Sequence, residues 1–344
     1  MTAVPGLTTA CPRNCYSTCS MRVEIEDGRL RSVLPLDGNR ATPEGACLKG
    51  LSYVERVHSP DRILYPLRRD GDGEFKRISW NEALNRITNR LVGVRDEFGP
   101  QGVFFYCGSG TKGLLNSVGP SFFRLYGGYT TTYGDLCWPA GLEATRLTLG
   151  DNKHNAPWDL ANARLIVLWG KNSAETNIHQ MNFVEEALHD GARLIVVDPR
   201  RTETAERAEL LIQPRPGTDG ALALAIAHIL FRENHLDEAF CESHVLGYRR
   251  YADRVGECTP EWAESITDVP APYIEKLASA IGTVKPTTIC AGFGMQRYTN
   301  SGQTMRSILA QVALTANVGR PGAGWQFANQ QCLIFDPVKE PVAT

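Results

Sequence analysis

The hydrophobic positions follow two different patterns along the chain. Short alternating runs flank Asp27-Gly28 between residues 21 and 35, which is typical of a β-hairpin with a two-residue turn. Further along, continuous apolar runs of strand length alternate with stretches of helical spacing. The strand-length runs cover residues 103–106, 165–169, 194–197 and 288–291. The helical stretches lie near 114–126, 139–149, 178–190, 219–234 and 302–316.

Strands that alternate with helices predict an α/β fold with a doubly wound, mostly parallel sheet. The clearest unit runs from the strand at 164–169 through a helix to the strand at 193–198. The connection between these strands is long enough for a βαβ crossover. We therefore predict a small β-rich module at residues 1–60 and an α/β region at 61–344. Within that region, residues 164–290 are the most clearly Rossmann-like.

One helix has a well-marked beginning and end. Ser79 and Glu82 form a capping box, and the helix is expected to stop near Gly99-Pro100. Its apolar residues recur at helical spacing, and they are Leu84, Ile87, Leu91 and Val94.

Composition adds several exclusions. With 344 residues, 42% hydrophobic and 22% charged, the chain has ordinary globular composition and room for two or three domains. A net charge of −2 gives no global basic field for nucleic acid. The longest apolar run, 221–231, is too short to span a membrane and contains His228. Residues 1–10 show no export signal, which predicts a cytoplasmic location.

Four cysteines are spaced as a candidate metal site: Cys11-x3-Cys15-x3-Cys19-x27-Cys47. Structural zinc sites usually present two separated pairs of ligands, whereas three close cysteines and one remote cysteine suit a cubane iron–sulfur cluster. The pattern favours a [4Fe–4S] cluster, with a zinc site or unliganded thiols as alternatives. Lys49 follows closely and is either a solvated lysine or a cation between the cluster and a second redox centre.

The predicted strands are followed by small or polar loops that begin at residues 107, 170, 198 and 292. Ligands of open α/β sheets bind beyond the carboxyl ends of the strands, and glycines such as Gly292 and Gly294 let the backbone approach a ligand. Asp198 is placed to accept hydrogen bonds from ribose hydroxyls or a guanine edge. Each loop alone is compatible with an ordinary turn, but four together favour a large phosphate-containing cofactor.

Cys137 lies outside the cluster pattern, just before the helical stretch at 139–149. A thiol at the start of a helix ionises more readily and suits a metal ligand, although a buried thiol is the alternative. The other cysteines are expected to be buried thiols, and they are Cys107, Cys241, Cys258, Cys290 and Cys332.

With these residues in place, the chain resembles the molybdenum or tungsten bis-(molybdopterin guanine dinucleotide) oxidoreductases, the dimethyl sulfoxide reductase family. The cluster pattern that ends in Cys47-Leu48-Lys49-Gly50 carries the resemblance together with several short motifs. These motifs lie at residues 59–67, 77–80, 169–172, 198–200, 215–219 and 316–322.

The resemblance implies a [4Fe–4S] cluster on Cys11, Cys15, Cys19 and Cys47, with Lys49 on the electron path to a pterin. Cys137 matches the position of the protein ligand to molybdenum or tungsten, for which a soft thiolate is suited. The resemblance also implies cofactor contacts, and these are assigned to Asn172, Asp198, Arg200 and Asp219. The implied protein is an oxidoreductase subunit that performs two-electron oxygen-atom transfer or dehydrogenation of a small molecule. Its partner is expected to be an electron-transfer iron–sulfur protein or redox subunit.

The chain also departs from parts of the family. Trp138 stands where formate dehydrogenases place a His, which argues against formate, and Tyr16 stands where the acetylene hydratase-like member has an Asp. Family members continue into a C-terminal β-barrel domain that this chain is expected to lack, so the resemblance implies the N-terminal part of a catalytic subunit. A metal-free electron-transfer or structural subunit of a respiratory complex and an inactive fragment are the alternatives.

Overall fold

The N-terminal part of the chain forms a small antiparallel sheet. The structure is a computed structural model, and it describes residues 6–13, 15–108, 118–134 and 136–328. The sheet has the order β1-β2-β3. Asp27 and Gly28 have φ values of 49° and 74°, as a two-residue hairpin turn requires, and the predicted hairpin is confirmed. The elements are β1 (Leu7–Ala10), β2 (Ser20–Glu26), β3 (Arg29–Pro35), α1 (Leu48–Leu51) and α2 (Tyr53–His58).

The next segment contains a two-stranded ribbon and two helices. Ser79 caps the first helix by accepting a 3.1 Å hydrogen bond from the Glu82 amide, and the helix ends at Gly99, as predicted. The Glu82 carboxylate accepts a 2.8 Å hydrogen bond from Arg68. No described residue between 51 and 134 is buried. The elements are β4 (Leu67–Arg69), β5 (Phe75–Arg77), α3 (Trp80–Phe98) and α4 (Val118–Tyr126).

The prediction of a strand at 103–106 was wrong. Phe104 makes only an isolated parallel bridge to Thr130, without a named strand on either side. Cys107 is exposed rather than buried, because the described residues around it form no sheet that could cover it. The predicted loop at 109–113 and the start of the predicted helix at 114–126 lie outside the described residues, as does Cys332.

The rest of the described chain is built on a parallel five-stranded sheet of order β10-β9-β6-β7-β8. Its strands are β6 (Leu165–Trp169), β7 (Arg193–Val197), β8 (Leu210–Ile212), β9 (Thr287–Ala291) and β10 (Gly324–Gln326). The helices are α5 (Pro139–Leu149), α6 (Ser173–Thr176), α7 (Ile178–His189), α8 (Asp219–Arg232), α9 (Glu238–His244), α10 (Tyr248–Val255), α11 (Pro260–Thr267), α12 (Ala271–Thr283) and α13 (Ser301–Leu314). Short 3-10 turns lie at Pro100–Gly102, Pro157–Asn162, Ala205–Arg207 and Phe293–Arg297.

Both faces of this sheet are covered, which confirms the doubly wound α/β prediction. Because side chains alternate along a strand, Val167 and Trp169 of β6 pack into one core with α8, α12 and α13, whereas Ile166 and Leu168 pack into another with α7. All five residues of β6 and of β9 are buried. Continuous apolar runs are typical of such two-sided burial. Among the described helices, none is both long and apolar enough to cross a bilayer.

Candidate functional site

The four predicted cluster cysteines line one cavity of about 320 Å³. Cys11, Cys15 and Cys19 come from the loop between β1 and β2, and Cys47 comes from the residue before α1. None of the four forms a disulfide. Gly50 brings α1 close to the loop, since a Cβ there would lie 3.2 Å from Cys11 Sγ. Residues 36 positions apart in sequence are thus assembled into one thiol-lined cavity.

The thiols are close enough to influence each other electrostatically. Burial, followed by the neighbouring thiols of Cys11, Cys15 and Cys47, raises the pKa of Cys19 to about 11. A thiol that resists ionisation in this way is stabilised as a thiolate once iron supplies positive charge. The electrostatics therefore fit a metal cluster.

The arrangement of the four thiols is also compatible with a cluster. Within the described ranges, no three His, Cys, Asp or Glu side chains converge on one point as the ligands of one metal ion do. A cubane binds one thiolate at each of four irons, so its ligands surround the cluster at wider separation. Four thiols that line one cavity are thus compatible with the [4Fe–4S] interpretation.

Three contacts join the N-terminal β-rich module, which we call the cysteine module, to the loop and helix that follow β6. Ser17 Oγ donates a 3.0 Å hydrogen bond to Asn177 Oδ1, and both side chains are buried. Cys19 Sγ lies 3.3 Å from His179 Nε2. Residues 175–179, which we call the docking segment, thus form one wall of the thiol cavity.

Lys49 makes the third contact. It lies in α1, lines the thiol cavity and donates a 2.5 Å hydrogen bond to the Glu175 carbonyl. The ammonium therefore lies between the cysteines and the carboxyl edge of the sheet. This position fits the expectation that Lys49 lies on an electron path from the cluster.

The predicted nucleotide contacts gather at that carboxyl edge. Asn172 and Asp198 follow the neighbouring strands β6 and β7, and Gly292 follows β9 on the other side of β6. Asp219 joins them because Trp169 Nε1 donates a 2.9 Å hydrogen bond to its carboxylate. Burial raises the pKa of Asp219 despite that hydrogen bond. The sheet thus brings together four residues that span 120 positions.

Two local features distinguish this edge. Asn172 Oδ1 accepts a 2.6 Å hydrogen bond from Thr204, whereas its buried Nδ2 has no partner among the described residues. A Cβ at Gly292 would lie 1.8 Å from the Gly170 carbonyl oxygen, so the β6 and β9 loops pack backbone to backbone. The unpartnered Asn172 donor fits a polar ligand, whereas the contact at Gly292 fixes the two loops to each other.

Arg200 and Gly294 lie further out. Arg200 is exposed, and its amide donates a 2.8 Å hydrogen bond to Asp198 Oδ1, which shapes the turn after β7. Gly294 is exposed in the turn after β9, and a Cβ there would have no neighbour within 4 Å. Both residues border the edge without contacting the thiol cavity.

Cys137 lies near the same edge, two residues before α5. Its carbonyl accepts a 2.6 Å hydrogen bond from Gln296 Nε2 in the turn after β9. Trp138 packs against Phe293, with ring centroids 5.8 Å apart, and Phe293 packs against Tyr16 at 5.7 Å. A row of aromatic rings therefore links Cys137 to the loop of cluster cysteines.

Tyr16 and Lys171 were not identified as site residues from the sequence. Lys171 is buried, and its Nζ lies 4.1 Å from the Tyr16 ring centroid. Burial raises the pKa of Tyr16, with further contributions from Cys137 and Cys15. These residues occupy the space between the thiol cavity and Cys137. Lys171 lies within the Trp169–Asn172 motif, but no sequence signal marks it as buried.

The comparisons with known proteins agree with this geometry. The family model "Molybdopterin oxidoreductase Fe4S4 domain" matches residues 7–59, and the model "Molybdopterin oxidoreductase" matches residues 62–343. The probable dimethyl sulfoxide reductase chain YnfF of Escherichia coli is 37% identical over 352 residues, which cover 91% of this chain and 43% of that protein. The dimethyl sulfoxide reductase DmsA of the same organism is 35% identical over 356 residues, with 91% and 44% covered.

A solved structure shows the same fold. Acetylene hydratase from Pelobacter acetylenicus superposes with a TM-score of 0.76 at 27% identity, covering 92% of this chain and 44% of that one. The chain spans less than half the length of each of these three proteins.

Proposed function

Because the chain belongs to the molybdopterin oxidoreductase family, we propose that it acts within a molybdenum- or tungsten-dependent oxidoreductase that transforms a small molecule by two-electron oxygen-atom transfer or dehydrogenation. Electrons pass through a [4Fe–4S] cluster on Cys11, Cys15, Cys19 and Cys47. The observation that carries the proposal is the meeting of these four thiols, through Lys49, with the carboxyl edge of the sheet.

The cofactor that we propose is a bis-(molybdopterin guanine dinucleotide) complex of molybdenum or tungsten, which supplies the two-electron chemistry when it is bound. Asn172, Asp198, Asp219 and the backbone around Gly292 would hold its nucleotide parts. The buried Asn172 Nδ2 donor, which has no partner among the described residues, supports these contacts. Arg200 and Gly294 would contribute at the outer rim.

Cys137 is proposed as the protein ligand to the metal. The turn after β9 fixes its backbone through Gln296, and Trp138 is buried beside it. Tyr16, Phe293 and Trp138 fill the space around it with aromatic rings, which keep bulk water away from this part of the edge. The electron partner is proposed to be an iron–sulfur protein or redox subunit.

The proposal is tested by anaerobic purification from a host that makes the cofactor, followed by quantification of iron, molybdenum, tungsten and pterin. Cys15→Ala is expected to lose the cubane EPR signal, because it removes one of four thiolates. Cys137→Ala is expected to keep that signal and to lose one sulfur scatterer in X-ray absorption at the molybdenum or tungsten edge.

The matched control is Cys258→Ala, which removes a buried thiol from the sheet's main hydrophobic core. This variant is expected to keep both the cluster signal and the full set of sulfur scatterers. A wild-type chain that contains iron but neither molybdenum nor tungsten would contradict the proposal, and would instead indicate an electron-conducting subunit.

A further inference from the structure

His179 is placed to influence the cluster directly. It lies in the first turn of α7, is 6% exposed, and its Nε2 lies 3.3 Å from Cys19 Sγ. The contact joins residues 160 positions apart and crosses from the α/β region to the cysteine module. It is therefore produced by the docking of the two parts and not by local chain geometry.

The imidazole can serve as a donor in this contact. A Cys that binds iron is a thiolate, which only accepts hydrogen bonds, so a 3.3 Å contact requires the proton on Nε2. An imidazole with its proton on Nε2 is therefore the form that satisfies the sulfur acceptor.

We propose that His179 donates its Nε2–H to the Cys19 thiolate and thereby raises the reduction potential of the cluster. This inference rests on the proposed function in one respect, that the four thiols hold a [4Fe–4S] cluster. Reduction adds one negative charge to the cluster and its thiolates. A donor to a ligand sulfur stabilises the reduced form more than the oxidised form, because the acceptor carries more charge after reduction.

A second buried contact fixes the position of His179 relative to Cys19. The buried hydrogen bond between Ser17 and Asn177 lies two residues away on both chain segments, so it holds Cys19 and His179 in register. His179 is thus a positioning residue for the cluster. The cysteine module supplies all four ligands, and the α/β region supplies this donor.

The test compares cluster potentials by EPR-monitored redox titration of reconstituted full-length chains. His179→Leu removes the donor and is expected to shift the reduction equilibrium about tenfold towards the oxidised cluster, which is 59 mV for a one-electron couple. His179→Gln keeps an N–H donor of similar reach and is expected to restore most of that shift. The control is His189→Leu, since His189 ends the same helix but is exposed and contacts Asp190.

A second measurement needs no variant. Pulsed EPR of the reduced wild-type cluster with 15N-labelled histidine is expected to show a nitrogen coupling, which His179→Gln would abolish. The role of His179 would be overturned if an intact cluster showed no such coupling, or if the His179→Leu variant had the same cluster reduction potential as the wild type. Neither result would contradict the proposed function. Failure of the wild-type chain to assemble any cluster would overturn this role and the proposed function together.

Discussion

The segment at 51–134 and the α/β region at 138–328 are folded from similar kinds of helix but are packed very differently. Helix α3 has a capped start, and its apolar residues recur at helical spacing, yet Leu84 is 55% exposed and Ile87 is 56% exposed. In the α/β region, every residue of β6 is fully buried and α8 has eight buried residues. The apolar residues of β6 and α8 are thus buried, whereas Leu84 and Ile87 of α3 are not.

The difference shows that helical spacing of apolar residues predicts a helix with one apolar face. It does not show whether another part of the chain covers that face. Burying a Leu or Ile side chain contributes about 1.5–3 kcal/mol, so the exposed stripe of α3 leaves this stabilisation unused within the described residues. Helix α3 is therefore held mainly by its cap and by contacts such as the hydrogen bond from Tyr126 to the Leu91 carbonyl. The α/β region has its own core on each face of the sheet.

The largest expected effect is on amide exchange. Amides of β6, β7 and β9 are expected to exchange roughly a thousandfold more slowly than those of α3, which corresponds to about 4 kcal/mol of additional opening free energy. Hydrogen–deuterium exchange with mass spectrometry would measure both sets in one sample. Equal protection of α3 and the strands would mean that the two regions unfold as one unit, and the comparison would fail.

Two glycines after β9 test how tightly the edge of the α/β region is packed. Gly292→Ala is expected to cost about 4 kcal/mol or more, or to prevent folding, because its Cβ would lie 1.8 Å from the Gly170 carbonyl oxygen. Gly294→Ala is expected to change stability by less than about 0.5 kcal/mol, since nothing lies within 4 Å. Chemical denaturation would measure both. If both variants were equally stable, the backbone contact between the β6 and β9 loops would be disproved.

A pair of large-to-small substitutions tests the two regions directly. Leu168→Ala in β6 is expected to cost about 2–5 kcal/mol, because it leaves a cavity in a fully buried strand. Ile87→Ala in α3 is expected to cost less than about 0.5 kcal/mol, since the side chain is more than half exposed. Equilibrium denaturation is the measurement, and a large cost for Ile87→Ala would show that α3 is covered in solution.

The smallest expected effect comes from a charge buried in the well-packed region. Desolvation lowers the pKa of Lys171 from 10.5 to about 8, with the thiols of Cys290 and Cys15 opposing it. Between these pH values the unfolded chain holds a proton that the folded chain has lost, so stability rises with pH; below pH 8 the full cost is present. Lys171→Met is therefore expected to stabilise the cofactor-free chain by up to about 3 kcal/mol at pH 7.

This gain is expected to disappear as the pH rises through 10.5, where Lys171 is uncharged in both states. Thermal or chemical denaturation across that range would show the trend. The control is Lys153→Met, since Lys153 is exposed and pairs with Asp151, and it is expected to show no comparable gain. If the Lys171→Met variant were as stable as the wild type at all pH values, the ammonium of Lys171 in the wild-type chain would be solvated.

Strands β6, β7 and β9 could be predicted to within a residue, because parallel strands buried on both faces are continuous apolar runs. Strands β8 and β10 have only three residues each, which is too short for any period to show. Helix α12 was missed, although Ile274, Leu277 and Ile281 have helical spacing. The strand predicted at 103–106 shows the reverse case, in which an apolar run lacks a neighbouring strand to pair with.

Some residues of the candidate site could likewise be predicted from the sequence, and others could not. The spacing of Cys11, Cys15, Cys19 and Cys47 indicated a shared site, since three of them lie within nine residues. His179 and Lys171 were not predicted as site residues, because their interest arises from burial and from neighbours that lie more than 150 positions away. No local pattern encodes such proximity.

The docking segment has a consequence for the maturation of the protein. Its three contacts are made by Ser17, Cys19 and Lys49, each of which is a proposed cluster ligand or lies within two residues of one. A cluster on these thiols would clamp the loop at 11–19 to Cys47 and so present all three contacts together. Binding of the iron–sulfur cluster would then also stabilise the docking of the cysteine module against the sheet. Oxidative loss of the cluster would remove an electron carrier and would weaken this docking at the same time.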